Sequence, residues 1–118
     1  MSAESCPVTA ALEVVGGKWK PVILYQLRNG PLRFGALRRI VPRATQKMLT
    51  QQLRELERDG VVDRTVHAVV PPKVEYSLST YGETLKPLLL EMCEWGKKHR
   101  SRVEQRARAT KAAAPAPR

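Results

Sequence analysis

Five polar side chains at the start of one predicted helix have the types and spacing that reading a DNA sequence requires. They lie opposite an apolar stripe of Leu49, Leu53 and Leu56, and they are Gln46, Lys47, Thr50, Gln51 and Arg54. Glutamine can pair with adenine, lysine and arginine with guanine, and threonine with a base or a phosphate. We therefore expect the helix that follows Thr45, its N-cap residue, to enter the major groove of double-stranded DNA.

The charge around this helix favours the same partner. From Arg33 to Arg54 there are six basic residues and no acidic one, and acidic residues return only at Glu55, towards the end that would leave the groove. A merely solvated polar face is the usual explanation for an isolated amphipathic helix, but it does not account for the acid-free window. We expect five further basic side chains to contact the DNA backbone or the minor groove, namely Arg33, Arg38, Arg43, Arg64 and Lys73.

Hydrophobic periodicity and breaker residues predict the elements that position these side chains. The first four predicted helices run from Pro7 to Gly16, from Trp19 to Arg28, from Phe34 to Val41, and from the Thr45 cap to Asp59. Two alternating runs around Pro71 and Pro72 then predict an antiparallel hairpin. This order is typical of a winged helix-turn-helix, so the predicted fold class is α+β and mostly helical, with a two-stranded wing.

The last predicted helix starts at the capping-box sequence Thr80-Tyr81-Gly82-Glu83, continues to about Arg100 and contains Pro87, which should bend it. It has more apolar side chains than a single stripe can hold. A second buried surface would explain them, as would one wide contact with the protein's own core. We expect the two terminal helices to form a homodimer interface that includes Leu12, Leu89, Leu90, Met92 and Cys93.

The net charge of +10 is concentrated at the C-terminal end. Residues 97–118 contain eight basic residues and one acidic residue, a net charge of +7, which leaves +3 for the rest of the 118-residue chain. The basic composition alone is therefore weak support for a nucleic-acid partner. We expect one folded domain over residues 6–104, followed by a disordered tail rich in alanine, proline and arginine over residues 105–118.

Several other classes of protein are disfavoured. Two cysteines are too few for a disulfide framework, and the longest aliphatic block, Leu88-Leu89-Leu90, is far too short to span a membrane. His67 and His99 lack the spacing of metal ligands, and the sequence has no phosphate-binding loop or catalytic motif, so we expect neither an enzyme nor a cofactor. The start of the chain has no signal-peptide pattern, and we expect a cytoplasmic protein that meets no membrane.

Cys6 is the residue with the clearest potential for covalent chemistry. It precedes Pro7, the expected first residue of the first helix, and so should occupy the N-cap position. The unpaired backbone N–H groups and the positive end of the helix dipole favour a thiolate there, and a thiolate reacts with oxidants and electrophiles. The alternative is that Cys6 caps and packs the first helix without any signalling role.

Six stretches of the sequence form a distinctive set: Cys6-Pro7-Val8, Gly16-Gly17-Lys18-Trp19-Lys20, Gly30-Pro31-Leu32-Arg33-Phe34, Thr45-Gln46-Lys47-Met48-Leu49-Thr50, Leu53-Arg54-Glu55-Leu56-Glu57 and Pro72-Lys73-Val74-Glu75-Tyr76. In this order they resemble the HxlR-type winged helix-turn-helix regulators of bacteria, over a range from Cys6 to Arg102. The resemblance implies a dimeric DNA-binding transcriptional regulator on an inverted-repeat operator, with repression as the expected mode and terminal helices at the dimer interface. It also implies that a small oxidant or electrophile acts as the signal through a cysteine placed like Cys6, although some members have no known signal.

Two other functions fit parts of the sequence. One is a winged helix that binds another protein, and the basic, acid-free window argues against it. The other is an architectural protein that binds nucleic acid through its tail without sequence preference. Comparing the affinity for specific and random duplexes at physiological salt would distinguish this second function from a sequence-specific regulator.

Overall fold

A computed structural model describes residue 2 and residues 5–112, in which four helices precede a two-stranded sheet and two helices follow it. The elements are α1 (Pro7–Val15), α2 (Lys20–Leu27), α3 (Phe34–Ile40), α4 (Gln46–Arg58), β1 (Val62–His67), β2 (Lys73–Leu78), α5 (Thr80–Glu83) and α6 (Lys86–Ala112). The predicted fold class, α+β and mostly helical with a two-stranded wing, is confirmed. The chain forms two compact units, one ending at Lys86 and the other beginning at Pro87.

Local sequence sets the ends of the helices. Pro7 occupies the first position of α1, which leaves Cys6 as the N-cap residue, as predicted. At the start of α4 the Thr45 hydroxyl accepts a hydrogen bond from the Met48 N–H at 3.0 Å, and this satisfies one of the donors that a helix start leaves unpaired. Gly60 follows α4 with a φ of 77°, a left-handed conformation that favours glycine.

Aliphatic side chains of α2, α3 and α4 form the core of the first unit. The most deeply buried are Ile23, Leu24, Leu27, Leu37, Leu49, Leu53 and Leu56. Within α2 and α4 these side chains recur at helical spacing. Val61, Val62 and Leu78 extend the core into the sheet, which faces α4 and α2.

The wing is an antiparallel pair in which Val62 lies opposite Leu78 and His67 lies opposite Lys73. Leu32, just before α3, adds a third short piece of extended chain. Its N–H donates to the Tyr76 carbonyl at 2.9 Å, and the Tyr76 N–H donates to the Leu32 carbonyl at 2.8 Å. The entry to α3 is therefore held to the wing by backbone hydrogen bonds.

The segment after the wing differs from the predicted single helix between Thr80 and about Arg100. Ser79 is the N-cap residue of α5, because its hydroxyl oxygen accepts a hydrogen bond from the Gly82 N–H at 2.9 Å. The same hydroxyl donates to the Gly60 carbonyl at 2.5 Å. Gly82 also lies so close to the Val61 carbonyl that an added Cβ would collide with it. The start of α5 is thus joined to the end of α4.

The final helix, α6, is also different in extent from the prediction. It begins at Lys86, so Pro87 lies in its first turn, where the missing N–H of proline costs no hydrogen bond within the helix. It continues to Ala112, into the range 105–118 for which the sequence predicted a disordered tail; residues 113–118 of that range lie outside the described residues. No helix in the described part of the chain is long and apolar enough to cross a membrane.

Candidate nucleic-acid interface

One face of α4 brings together the five side chains predicted to read bases. They are Gln46, Lys47, Thr50, Gln51 and Arg54, and they line a shallow open hollow of about 470 Å³ on the side away from the buried leucines. Thr50 is half-buried and the other four are exposed, as is the capping residue Thr45. No acidic side chain lines this hollow. Donors and acceptors that can pair with base edges therefore face solvent as one group.

A second hollow, of about 430 Å³, joins α4 to the wing. Its lining residues are Thr50, Leu53, Arg54, Glu57, Arg64 and Tyr76. Thr50 and Arg54 line both hollows, so the two are adjacent. The structure thus brings Arg64, one of the two predicted wing contacts, next to the predicted recognition helix. Glu57, which the sequence analysis did not assign to this surface, places a carboxylate beside two arginines.

Three basic residues predicted to contact the DNA backbone lie on or beside α3, and all three are exposed. Arg33 is the N-cap residue of α3, Arg38 lies in its last turn, and Arg43 lies in the connection to α4. The Arg38 guanidinium donates to the side-chain oxygen of Gln46 at 3.4 Å, so these two predicted contact residues touch each other. Arg33 and Arg43 line neither hollow.

Lys73, the other predicted wing contact, is already bound to a carboxylate. Its ammonium lies 2.8 Å from a Glu75 oxygen, and Nε2 of His67 lies 3.1 Å from the same oxygen. The hydrogen bond from Lys73 lowers the pKa of Glu75, burial opposes it, and the charges of Lys73, His67 and Arg33 lower it further. Lys73 lines neither hollow, and its charge is largely neutralised within the wing.

Sequence reasoning missed a charged residue that supports α4 from inside. The Lys20 side chain is only 10% exposed, and its ammonium lies 3.4 Å from the Glu55 carboxylate, which joins the first turn of α2 to α4. The sequence analysis places Glu55 only at the end of the helix that is expected to leave the groove. The sequence does contain a pattern that predicts the burial of Lys20. Apolar residues follow it at three, four and seven positions, which places it on the same face of α2 as these residues.

Cys6 is a half-buried thiol at the N-cap of α1. Its carbonyl accepts the Thr9 N–H at 2.9 Å, but its sulfur makes no capping hydrogen bond to the helix. The Cys6 thiol therefore does not cap α1. The alternative without signalling is reduced to a role of Cys6 in packing. Within residues 2 and 5–112, no group of three or more His, Cys, Asp or Glu side chains could hold a metal ion.

The predicted dimer residues differ in exposure. Leu12 in α1 is 59% exposed, and Leu90 and Met92 in α6 are exposed to 47% and 43%. Cys93 is half-buried. Leu89 is only 2% exposed, so it does not belong to an open apolar surface as the other residues do.

The HxlR-like helix-turn-helix family matches residues 14–104 of the chain. The chain is 52% identical over 109 residues to the uncharacterized HTH-type transcriptional regulator YdeP of Bacillus subtilis (strain 168). That alignment covers 92% of this chain and 85% of YdeP. The family match over residues 14–104 therefore includes all elements from α2 to β2 and all residues that line the two hollows.

Two solved structures, those of the regulators HypR and YodB, are similar to this chain in fold and sequence. The redox regulator HypR in its reduced form superposes with a TM-score of 0.80 and 53% identity, covering 85% of this chain and 99% of HypR. The reduced form of the transcriptional regulator YodB from B. subtilis superposes with a TM-score of 0.70 and 35% identity, covering 79% of this chain and 92% of YodB. HypR has also been solved in an oxidized form, and YodB after diamide treatment.

Proposed function

The chain belongs to the HxlR-like helix-turn-helix family, and from this premise we propose that it is a sequence-specific DNA-binding regulator of transcription, not an enzyme. The observation that supports this most directly is the hollow on α4, lined by five polar or basic side chains and no acidic one. An α-helix fits the major groove of B-DNA, where each base pair presents a distinct set of donors and acceptors. The exposed face of α4 supplies the matching groups.

In the proposed complex α4 enters the major groove with its N-terminal end leading. Gln46, Lys47 and Gln51 contact base edges, while Thr50 and Arg54 lie where the two hollows meet and reach a base or a phosphate. Arg64 reaches the neighbouring backbone or minor groove from the wing. Arg33, Arg38 and Arg43 add phosphate contacts, and Lys73 adds little because Glu75 already binds it.

Selection of bound duplexes from a random pool by the purified chain tests this proposal. A sequence-specific regulator enriches one motif, and its affinity for that motif exceeds its affinity for random duplex by a factor of about 10³ or more at physiological salt. Binding without any enriched motif would favour the architectural alternative. Absence of duplex binding would favour a winged helix that binds protein.

Gln51→Ala tests base reading at the level of one side chain. We expect a loss of about 1–3 kcal/mol on the selected site and almost none on random duplex, because the lost contact reads a base. Met48→Ala is the matched control, since Met48 is exposed on the same helix but does not line the hollow. Equal weakening on both duplexes would assign Gln51 to a phosphate instead.

We also propose that the regulator acts as a homodimer on an inverted repeat and represses transcription by occupying it. The exposed apolar residues of α1 and of α6 support a self-complementary interface. Two copies of α4 would then read half-sites about 34–36 Å apart, or a multiple of that spacing. In a transcription assay with a promoter that overlaps the selected site, added protein should lower transcript yield.

Cys6 is the proposed signal-receiving residue. Its sulfur is free of capping hydrogen bonds, and the chain resembles regulators whose oxidized or diamide-treated forms have been solved. An electrophile such as a quinone would form a covalent bond to the Cys6 sulfur through one of its ring carbons, and the thiol proton would pass to solvent and then to the reduced ring oxygen. Modification at α1 would alter the packing of the dimer and so the spacing of the two copies of α4.

The signal proposal is tested by DNA affinity before and after treatment with diamide or a quinone. Wild type should lose affinity for its selected site, Cys6→Ser should keep it, and Cys93→Ser should respond like wild type. Mass spectrometry would establish how much Cys6 has reacted. Full affinity after complete modification of Cys6 would rule the mechanism out.

A further inference from the structure

The distal half of α6 has a concentrated positive charge that the proposed function does not use. Residues 97–112 contain seven basic side chains and one acidic side chain, Glu104, a net charge of +6. Among the described residues, Lys97 pairs with Glu94 at 3.1 Å, and no ion pair involves Lys98, Arg100, Arg102, Arg106, Arg108 or Lys111. Every side chain from Lys97 to Ala112 is exposed. These six charges therefore make no ion pair that would stabilise the fold.

Helical spacing arranges this charge in rows. Lys98, Arg102 and Arg106 follow one another at intervals of four residues, which places them along one side of α6. Arg108 and Lys111 lie on another side. From residue 98 to residue 111 the helix rises by about 20 Å at 1.5 Å per residue. Double-stranded DNA has a phosphate charge about every 1.7 Å along its axis, so such a segment can meet several phosphates.

This segment is partly additional to the family fold. The family match ends at residue 104, whereas α6 continues to Ala112. The added turns contain Arg106, Arg108 and Lys111 and, among apolar side chains, only alanines. A membrane-surface helix needs bulky apolar side chains such as Trp, Phe or Leu opposite its basic residues, and Val103 alone provides little of that. The composition fits a hydrated polyanion better than a lipid surface.

We propose that residues 97–112 form a second contact with double-stranded DNA, which binds phosphates beside the sequence read by α4. The proposal rests on the proposed function, because residues 97–112 are covalently joined to α4, and a duplex bound by α4 is available to them at a raised effective concentration. Arginine suits the role, since its planar guanidinium can bind a phosphate through two hydrogen bonds. The segment reads no bases, so its contribution does not depend on the flanking sequence.

The test uses the full chain and the selected site in two duplexes. One duplex ends at the selected site, and the other extends it at both ends by about ten base pairs of unrelated sequence, one helical turn. The variant replaces Arg102, Arg106 and Arg108 with glutamine, which keeps the length and the helix propensity of the segment. Circular dichroism should show the same helix content in wild type and variant.

Wild type should bind the extended duplex more tightly than the short one, and the triple variant should lose a large part of this gain, because three of the seven basic side chains are removed. With about 0.9 counterions released per phosphate contact, the slope of log affinity against log salt should fall by up to about 2.7 per chain in the variant. A fourfold rise in salt would then cost wild type, for each chain bound, up to roughly 40-fold more affinity than the variant on the extended duplex. Glu104→Gln is the control, because it removes a negative charge from the same segment. It should increase the gain in affinity that the flanking base pairs provide.

Three results would overturn the inference. Wild type could bind both duplexes equally, or the triple variant could retain the full gain in affinity that the flanking base pairs give wild type. Vesicles of phosphatidylglycerol could bind wild type and not the variant while the flanks make no difference, which would assign the segment to lipid. A preserved preference for the selected site in any of these cases would leave the proposed function intact, whereas the absence of any enriched motif would contradict both.

Discussion

Two glutamates on the side of α4 and the wing reduce the positive charge of the candidate interface. Glu75 binds Lys73 and His67, and Glu57 lies beside Arg64 in the second hollow. A uniformly basic surface would attract phosphates of any sequence, which raises non-specific binding along with specific binding. In the proposed complex these carboxylates would favour discrimination between DNA sites and lower the total affinity for DNA.

Glu75→Gln should strengthen binding to random duplex at pH 7, because it releases Lys73 to contact a phosphate. The slope of log affinity against log salt should become steeper by about 0.9 for each released contact. Glu83→Gln is a suitable control, since Glu83 pairs with Lys86 and lines neither hollow. An unchanged slope for Glu75→Gln would exclude Lys73 and the tip of the wing from the interface.

The stability of the wing should also depend on pH through Glu75. The folded wing lowers the pKa of this carboxyl, chiefly through the hydrogen bond from Lys73, so folding favours the ionised form. The stabilisation is complete above the usual pKa near 4.5 and is lost as the pH falls through the lowered folded value. The protection of the β1 and β2 amides, measured as the exchange rate relative to that of an unfolded peptide at the same pH, should fall with pH in wild type and depend less on pH in Glu75→Gln.

Among the elements, α4 depends on the buried ion pair between Lys20 and Glu55. Lys20→Ala should lower the free energy of unfolding by about 1–3 kcal/mol, which is less than for a fully buried pair because a quarter of the Glu55 side chain is exposed. Combining Lys20→Met with Glu55→Leu should recover most of the loss, since no charge is then left buried. Urea unfolding measures both.

Lys97→Ala provides the control for that comparison. Its pair with Glu94 is exposed on both sides, so its removal should change the free energy of unfolding by less than about 0.5 kcal/mol. Equal effects of Lys20→Ala and Lys97→Ala would mean that the α2–α4 pair contributes no more than a surface contact.

The close contact between Gly82 of α5 and the Val61 carbonyl, just after α4, should also matter for the stability of the fold. Gly82→Ala should destabilise the fold by about 1–3 kcal/mol, because the new Cβ would collide with the Val61 carbonyl and the backbone must shift. Gly96→Ala, within α6, meets nothing within 4 Å and should be neutral or stabilising by up to about 1 kcal/mol. Thermal unfolding of the two variants tests this, and similar melting temperatures would contradict it.

The sequence was sufficient to predict α4 because independent signals agree there. Thr45 supplies the cap, Leu49, Leu53 and Leu56 supply one apolar stripe, and Gly60 supplies the end. The same periodicity separates the five side chains predicted to read bases from the buried leucines, and the structure brings these five together in one hollow. Local rules succeed where every residue of a segment favours the same conformation.

The segment after the wing could not be predicted as well, because local signals compete there. Ser79 and Thr80 are both good N-cap residues, and the structure uses Ser79, where the neighbouring Gly82 fits against the Val61 carbonyl. That fit is a tertiary contact. The helical extension to Ala112 lacks apolar periodicity, but alanine, arginine, glutamine and lysine have high helix propensity, and propensity determines the conformation there.

The neutralisation of Lys73 was missed for a different reason. Lys73 and Glu75 are two residues apart on one strand and so share a face, which the sequence alone indicates once a strand is assumed. The position of His67 opposite Lys73 depends on the register of the hairpin. A stiff Pro71-Pro72 connection does not specify that register, since it is not one of the two-residue turns that fix the pairing.

For the molecule as a whole, the main prediction concerns its assembly. Wild type should sediment as a dimer at micromolar concentration, and Leu90→Glu should sediment as a monomer because a charge would enter an apolar interface. The monomer should also lose the advantage of the full inverted repeat over a single half-site. Tyr81→Glu is the control, since Tyr81 is an exposed side chain of α5 outside the expected interface. A monomeric wild type with full affinity for one half-site would exclude the dimer.

The separation of the two faces of α4 has a consequence for how such regulators diverge. The leucines that hold the helix and the five side chains that line the hollow on α4 are different residues. Substitutions at the four exposed positions should therefore change the free energy of unfolding by no more than about 0.5 kcal/mol. After a gene duplication, one copy can therefore drift at Gln46, Lys47, Gln51 or Arg54 and acquire a new target sequence without an unfolded intermediate. Thr50, half-buried, is the position where such drift should be slowest. Large sets of paralogous regulators within one genome are the expected result.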